Sequence, residues 1–405
     1  MQQKQEQEWI VIRGMGSISG LGCSRTEVIE AYTTGRTAFT YLPELGLDTP
    51  VAPLSPSGEA ALHALQKENP DYGTLDRTVQ MAMVAARQAV AEAGWENTSE
   101  FPIGINIGSS RGATGLFEHY HAEFLAKPEL RLSPSVSPST TLGNVASWVA
   151  QDLQATGPVI SHSVTCSTAL QAFANGVAWL KSGMAKRFLV GGAEAPLTPF
   201  TVAQMKGIGI YSKLAADKQP CRPLNQEQNT FVLGEGAAVF ALERMTENEI
   251  AALGLSEVVV VGAVGLGMEQ TPSKTGLTPD GQHFQKAMQQ ALSLAQRSPA
   301  EIDAVVVHAP GTKAGDKAEM TALNQVLHQR LPSLFSSKTS MGHSLGASGA
   351  LSAEMALLIL QNIPLEPLTP ADGVSTAANP FRHLLINSAG FGGNSASLLL
   401  SRVRF

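Results

Sequence analysis

The sequence predicts an α/β chain built from two similar halves, and three observations carry that expectation. Apolar residues fill 43% of the 405 positions and charged residues only 15%; an ordinary globular chain is roughly 25% charged. There is ample material for a buried core and for a subunit interface. Short β-like apolar runs alternate with Ala-rich stretches of helical period. The order of these segments then occurs twice, as expected for an internal duplication of a unit of about 150 to 200 residues.

The first half reads in order. The first eight residues (MQQKQEQE) are polar and read as disordered. Trp9 to Met15 is an apolar strand run stopped by Gly16. Arg25 to Thr34 fits a helix, and residues 42–70, rich in Pro, Ser and Gly, read as a surface loop. Arg77 to Gly94 has apolar positions at helical spacing and a closing glycine. Ile103 to Ile107 is a buried strand, and residues 131–143 form a Ser/Pro/Thr loop. Val159 to Val164 is strand-like, Cys166 follows at once, and Ser167 to Ser182 is helical. Phe188 to Val190 leads into Gly191-Gly192-Ala193-Glu194. Phe231 to Leu242 holds Gly-Glu-Gly between two apolar strand runs.

The second half repeats that order. Glu257 to Val264 is a strand run, Gln282 to Gln296 an amphipathic helix, and Ile302 to Val307 a strand ending at His308. From Gly342 onward the chain is an Ala/Leu-rich helix. Leu384 to Leu400 carries Gly390-Phe391-Gly392-Gly393 between two apolar runs. The duplication makes one demand: Cys166 and His343 open equivalent helices and face each other across a pseudo-twofold axis.

Several function classes fall away. Twenty-eight Lys and Arg stand against 34 Asp and Glu, a net charge of −6, which argues against a nucleic-acid binder held by a basic face. Cys23, Cys166 and Cys221 are odd in number and far apart, so neither a disulfide framework nor a Cys-x-x-Cys metal pair follows. The polar N-terminus lacks the apolar stretch of a secretory signal. Leu153 to Leu180 carries no formal charge, but Gly157, Pro158 and Ser161 to Ser163 interrupt it, so it reads as a buried segment rather than a membrane span. The expected setting is soluble, reducing and cytoplasmic.

A few residues could carry chemistry. Cys166 lies between a strand and a helix, where the positive end of the helix dipole can lower a thiol pKa; the alternative is a small apolar residue filling a core gap. His308 stands just past the C-terminal end of a buried strand, where open α/β sheets bind ligands, or it simply bonds the loop that follows. Lys338 and His343 lie in FSSKTSMGHSLGASGA, whose small residues allow a close helix approach; the alternative is a Ser/Gly turn with an exposed lysine. The 390–393 turn suits close backbone approach but has no strand-turn-helix context for a dinucleotide, and neither does Gly191-Gly192. His119 and His121 have no evident third ligand and read as a solvated loop rather than a metal pair.

Taken together, the motifs IRGMGSISGLG, VTCSTAL, FVLGEGAAVFALE, HAPGTKAGD, KTSMGHSLGASGA and NSAGFGGNSA resemble, in order and separation, the β-ketoacyl-acyl-carrier-protein synthases of the type I/II condensing class, within the thiolase-like superfamily. The resemblance runs from about Trp9 to the C-terminus. It implies a thiolase-like duplicated α-β-α-β-α five-layer fold, with an N-terminal half (9–250) carrying the nucleophile and a C-terminal half (251–405) carrying two histidines. It implies that Cys166 takes the acyl chain as a thioester, that His308 and His343 bind the malonyl thioester carbonyl, and that Lys338 matches the lysine near the second histidine. Phe391 matches the phenylalanine that gates the extender, and its N–H with that of Cys166 resembles the oxyanion hole.

The implied reaction is a decarboxylative Claisen condensation with no metal or redox cofactor. The implied partners are acyl carrier protein, malonyl and acyl thioesters, and a second subunit, a homodimer being expected and a heterodimer possible. Lys206, Lys213 and Arg111 are candidates for a basic docking patch.

The sequence also departs from the family pattern. Arg222-Pro223-Leu224-Asn225 stands for Arg-Pro-Phe-Asp, Gln228-Asn229-Thr230 for Arg-Asp-Gly, and His308-Ala309-Pro310 for His-Gly-Thr. Ser352 replaces a glutamate, with Glu354 two residues on, and Asn394-Ser395 replaces Thr-Asn. These changes put the structural cation site of relatives in doubt. They suggest a divergent branch serving a polyene, pigment or polyketide pathway. Two other readings compete. One is a non-catalytic partner like a chain-length factor, which usually lacks the Cys retained here. The other is a thiolase, which needs a second Cys that residues 384–405 lack.

Overall fold

The computed structural model describes residues 6–95, 102–129, 131–140, 142, 144–271, 276–328, 331–371 and 381–405. Its strands are β1 (Glu8–Ser19), β2 (Thr40–Leu42), β3 (Leu47–Val51), β4 (Ile103–Gly108), β5 (Val159–Ile160), β6 (Arg187–Glu194), β7 (Gly236–Thr246), β8 (Glu257–Met268), β9 (Ala304–Val306), β10 (Ser333–Phe335), β11 (His383–Gly390) and β12 (Asn394–Arg404). The six helices that shape the core are α1 (Arg77–Ala93), α2 (Asn144–Asp152), α3 (Thr168–Lys181), α4 (Gln282–Leu294), α5 (Lys313–Val326) and α6 (Ser348–Leu360).

Apart from the β2–β3 ribbon, the strands run in the order β5-β4-β6-β7-β1-β8-β12-β11-β9-β10. Numbered within each half, that is 3-2-4-5-1 followed by its mirror order. The first and fifth strands pair antiparallel, as do the fifth and fourth, while the second is parallel to the third and fourth. Lengths agree too: opening strands of 12 residues, fourth strands of 8 and fifth strands of 11. The two five-stranded units are joined into one sheet by a single ladder pair, Val11 with Val260.

Side-chain alternation along the strands builds the layers. On β6, Phe188 and Val190 face the central core, while Leu189 and Ala193 face the outer core under α1 and α2. On β11, Leu384 and Ile386 face the same centre, while Leu385 and Ala389 face α4 and α5. The central layer is α3 and α6. All thirteen residues of α6 are buried, which explains why its sequence is small and apolar all round. The result is helix, sheet, helix pair, sheet, helix.

Some boundaries differ from the sequence reading. Residues 42–70 are not simply a surface loop: they hold most of the β2–β3 ribbon and a helix, Pro56–Glu68. Ser55 caps that helix by accepting from Gly58 N, and Pro56 opens it, a start signal that the Pro/Ser/Gly composition masked. Val136–Thr140 is a short helix inside the expected 131–143 loop; residues 141 and 143, like 1–5 of the expected disordered start, lie outside the described residues. Strand β7 begins only at Gly236. Phe231 and Leu233 make isolated bridges instead. The helix expected from Gly342 begins at Ser348. The expected loop at His119 and His121 is part of a helix, Thr114–Ala126, with both rings exposed.

Candidate active site

Each half places a tight turn before its central helix. In the first half, Thr165 adopts φ 50°, an unfavourable left-handed conformation for a β-branched residue. Cys166 follows, and α3 opens at Thr168. The turn is held by Thr168 Oγ1 donating to Thr165 O at 2.6 Å and by Ser388 Oγ donating to Cys166 O at 2.6 Å. Gly390 presses against it: a Cβ there would collide with Thr165 Oγ1 and lie 3.0 Å from Cys166 N. That close approach, rather than a dinucleotide loop, accounts for the glycine.

In the second half, Leu345 adopts φ 42° three residues before α6, the same offset as Thr165 before α3. The residue equivalent to Cys166 is therefore Gly346, not His343. The loop from β10 to α6 is longer than that from β5 to α3, and the extra residues hold Lys338 and His343. The demand for equivalent helices is met. The two functional candidates themselves sit at different offsets.

Cys166, His308, His343 and Phe391 line one cavity of about 290 Å³. The two imidazoles meet edge to face, with ring centroids 5.3 Å apart. His343 Nδ1 accepts from Leu345 N at 2.9 Å, so in the neutral ring Nε2 bears the hydrogen. His308 is held through its backbone: its N–H and that of Ala309 donate to Glu319 at 2.9 and 2.7 Å, and Asn387 Nδ2 donates to Glu319 Oε1 at 3.0 Å. Phe391 is 39% exposed at the mouth. Met205, Ile208, Ile210, Phe231 and Leu345 give the cavity an apolar wall. Lys338 is not on that wall. It opens the short helix Lys338–Met341 behind it, 1% exposed.

The electrostatics favour neutral imidazoles. Burial, reinforced by the Lys338 ammonium, holds His308 and His343 well below the usual histidine range. Burial pulls Lys338 down as well, with the Glu319 carboxylate opposing it. The thiol departs from the sequence expectation. Burial pushes Cys166 up to about 12, the Glu194 charge adds to this, and Lys338 opposes it. Low-dielectric surroundings outweigh the helix terminus, so Cys166 rests as a thiol.

The departing residues make bonds of their own. Thr230 N donates to Gly311 O at 2.7 Å, and Lys313 N donates to Asn229 Oδ1 at 3.0 Å, so this segment braces the loop after His308. Leu224 N donates to Asp316, whose carboxyl burial raises to about 7. Ser352 Oγ lies 3.2 Å from Ser337 Oγ, while Glu354 points away, toward Ser17 Oγ. No group of three or more His, Cys, Asp or Glu able to hold a metal occurs among the described residues.

Of the docking candidates, Arg111 turns onto Gln204, Lys206 pairs with Asp48 at 2.5 Å, and Lys213 is exposed. The sequence reading missed His283 and Phe284, which line the cavity. An apolar-periodic helix opening after Asp280-Gly281 was visible, but not that its first turn faces the other histidines. It also missed the anchoring carboxylates of Glu319 and Glu194, whose roles depend on contacts distant in sequence.

Known proteins share this arrangement. The family described as "Beta-ketoacyl synthase, N-terminal domain" matches residues 7–248, and "Beta-ketoacyl synthase, C-terminal domain" matches residues 259–371. A Streptomyces cyaneus protein described as a polyketide beta-ketoacyl synthase is 30% identical, with 97% of each chain covered. The 3-oxoacyl-[acyl-carrier-protein] synthase 2 of Staphylococcus aureus is 27% identical over 97% of this chain and 98% of its own. Among solved structures, a beta-ketoacyl synthase from Burkholderia phymatum superposes with a TM-score of 0.84 at 25% identity, covering 98% of this chain and 100% of that one. The ishigamide ketosynthase/chain length factor shares the fold, with a TM-score of 0.83 at 24% identity over 98% and 99% of the two chains. With both family regions matched and its relatives covered nearly end to end, the chain belongs to the beta-ketoacyl synthase family.

Proposed function

We propose that the chain catalyses decarboxylative Claisen condensation of an acyl group held on Cys166 with a malonyl unit on acyl carrier protein, giving 3-ketoacyl-acyl carrier protein and CO₂. One observation carries this reading: a single cavity joins the Cys166 thiol, two imidazoles, an aromatic residue at the mouth and an apolar wall fit for an acyl chain.

The residues then take these roles. The Cys166 sulfur attacks the acyl thioester, the carrier thiolate leaves, and the thiol proton passes to it. The malonyl thioester enters past Phe391. Its carboxylate–carbon bond breaks, CO₂ departs, and negative charge collects on the thioester oxygen. His343 Nε2–H, held in that tautomer by Leu345 N, donates to this oxygen together with His308. The enolate carbon attacks the acyl-Cys166 carbonyl, whose oxyanion lies between the backbone N–H groups of Cys166 and Phe391. The carbon–sulfur bond breaks, and the Cys166 thiolate takes up one proton from solvent. Burial, reinforced by the Lys338 ammonium behind the wall, keeps both imidazoles neutral. The first half, 9–250, thus supplies the nucleophile, and the second, 251–405, the two histidines.

The working unit is a dimer. β5 is an open sheet edge with Val159 exposed, and Phe117, Phe124 and Leu125 are exposed on the helix Thr114–Ala126. A second copy pairing along β5 would cover that edge, and exposed apolar side chains such as these suit a subunit interface. The acidic carrier protein would approach the cavity mouth with Lys213 within the docking patch. The three cysteines are free, which suits the cytoplasm, and no helix among the described residues is long and apolar enough to cross a membrane. The departures around His308 and Ser352 favour a specialised polyene or polyketide substrate over ordinary fatty-acid elongation.

The test is turnover. Purified protein with malonyl- and acyl-carrier protein should release CO₂ and 3-ketoacyl product, both measured by mass spectrometry, and Cys166→Ala should make no ketoacyl product. Turnover appearing only on addition of a second, ketosynthase-like subunit, and surviving Cys166→Ala, would instead identify a chain-length-factor role.

A further inference from the structure

We propose that Glu194 is a positioning residue: its buried carboxylate locks the Leu345–Gly346 turn and thereby holds His343 in the tautomer that faces the cavity. This inference rests on the condensation reading above.

Glu194 ends β6 and is 1% exposed. Its carboxylate accepts five hydrogen bonds. Oε1 takes Ser109 Oγ at 2.7 Å and Arg111 N at 3.1 Å. Oε2 takes Ser110 N at 2.8 Å, Ser110 Oγ at 2.5 Å and Gly346 N at 2.8 Å. Four of these come from the loop after β4, in the first half. The fifth comes from the turn before α6, in the second. Gly346 N is adjacent in sequence to Leu345 N, the amide that caps His343 Nδ1. Two consecutive amides therefore point to two anchors, and Leu345 is held at φ 42° between them. Without the carboxylate, Gly346 N–H is buried and unpaired, a costly state that the turn can relieve only by rotating away. Leu345 N then leaves His343 Nδ1, and the ring is free to present the wrong nitrogen.

The duplication sharpens the point. Glu194 and Gly390 are both the last residues of eight-residue fourth strands. Gly390 leaves the turn at Cys166 open, whereas Glu194 fills the corresponding turn with a carboxyl group; burial pushes it up, and the donors from Ser109, Ser110 and Gly346 favour its ionised form. A Cβ on Gly346 would lie 2.5 Å from Ser110 N and 2.6 Å from Glu194 Oε2, so the closure is tight. The same charge faces Cys166 and raises its thiol, which supplies a readout independent of turnover.

The experiment compares Glu194→Gln, which removes the charge, with Glu194→Asp, which keeps the charge but withdraws it by one methylene. Three quantities are measured: kcat for ketoacyl formation, alkylation of Cys166 by iodoacetamide between pH 7 and 9, and Tm. Both variants should lose at least tenfold in kcat. Only Glu194→Gln should alkylate faster, by threefold or more at each pH, with Glu194→Asp within twofold of the parent. A kcat within twofold of the parent in either folded variant overturns the proposal. So does equal acceleration of alkylation in both, which is what general loosening of the site would give. If Glu194→Gln fails to fold, Glu194→Asp decides alone: slow turnover with unchanged alkylation supports the proposal, and any other pairing sinks it. Alkylation needs no carrier substrate, so a parent enzyme without turnover exposes failure of the condensation reading separately.

Discussion

At the turn before α3, Thr165 takes φ 50° and is followed by a cysteine that opens on a cavity; at the turn before α6, Leu345 takes φ 42° and is followed by a glycine sealed under Glu194. The backbones match in offset and in handedness, and the strands feeding them match in order and length. They differ in the loop before the turn, which is longer ahead of α6, and in the residue that ends the fourth strand against each turn, Gly390 at one and Glu194 at the other. Duplication supplied two strained strand–turn–helix junctions. In the mechanism proposed above, one is accessible for a nucleophile and the other is held rigid to orient a histidine on the loop before it. Strain of this kind costs on the order of 1–3 kcal/mol per residue, and each turn is held by bonds from the opposite half.

The largest test of that contrast removes the open turn's thiol. Cys166→Ala should lower condensation by on the order of 10⁴-fold or more, as nucleophile deletions do, measured as 3-ketoacyl product per minute. Removing the histidine from the closed turn's loop should cost less: His343→Ala should lower kcat by about 10²–10³-fold, the usual loss of one preorganised donor. Cys166 should still accept an acyl group in that variant. Equal loss of acylation and condensation would blur the division of labour between the turns.

Closing the open turn should give a smaller effect. A Cβ at Gly390 collides with Thr165 Oγ1, so Gly390→Ala should destabilise by about 1–3 kcal/mol, as overpacking does, and should slow acylation of Cys166. Denaturant unfolding and a stopped acylation assay read the two effects.

The smallest prediction concerns the central helices behind the turns. Glu354 on α6 stands where α3 has Ala174, each six residues from its helix start. Burial raises the Glu354 carboxyl from 4.5 to about 7, with Ser17 Oγ as its donor. A folded-state pKa above the unfolded one stabilises the fold at low pH. The contribution is full below about 4.5 and is lost as pH rises through 7. Glu354→Gln should therefore raise Tm at pH 8 by roughly 2 °C or more and leave it nearly unchanged at pH 4.5. A gain of the same size at both pH values would contradict the assignment.

Much of this was legible in the sequence, for physical reasons that the misses make clear. Period-two apolar runs such as IGINI and the Gly94 stop after an amphipathic stretch report directly on burial and capping, so α1, β4, β8 and α4 were readable. The helix at Pro56–Glu68 was not, because Ser and Pro signal both a loop and a helix start, and only tertiary burial of Leu62 and Leu65 decides between them. Cys166, His308, His343 and Phe391, which line one cavity, stood out in the sequence because the proposed chemistry restricts their types and the motifs keep their order. Glu194 and Glu319 carry no such local mark. Their value comes from donors about 80–150 residues away for Glu194 and 10–70 away for Glu319, and nothing in their neighbourhood announces it. The Cys166 pKa was misjudged for a related reason: the helix N-terminus is visible in sequence, but the burial that outweighs it is not.

The most direct measurement is to map where an acyl group lands. The protein is incubated with an acyl-carrier thioester, digested, and all three cysteine peptides are quantified by mass spectrometry. The account predicts acyl mass on the Cys166 peptide alone, with Cys23 and Cys221 unmodified, and its disappearance on adding malonyl-carrier protein. Acylation at Cys23 or Cys221, or an acyl-Cys166 that malonyl-carrier protein leaves untouched, would contradict it.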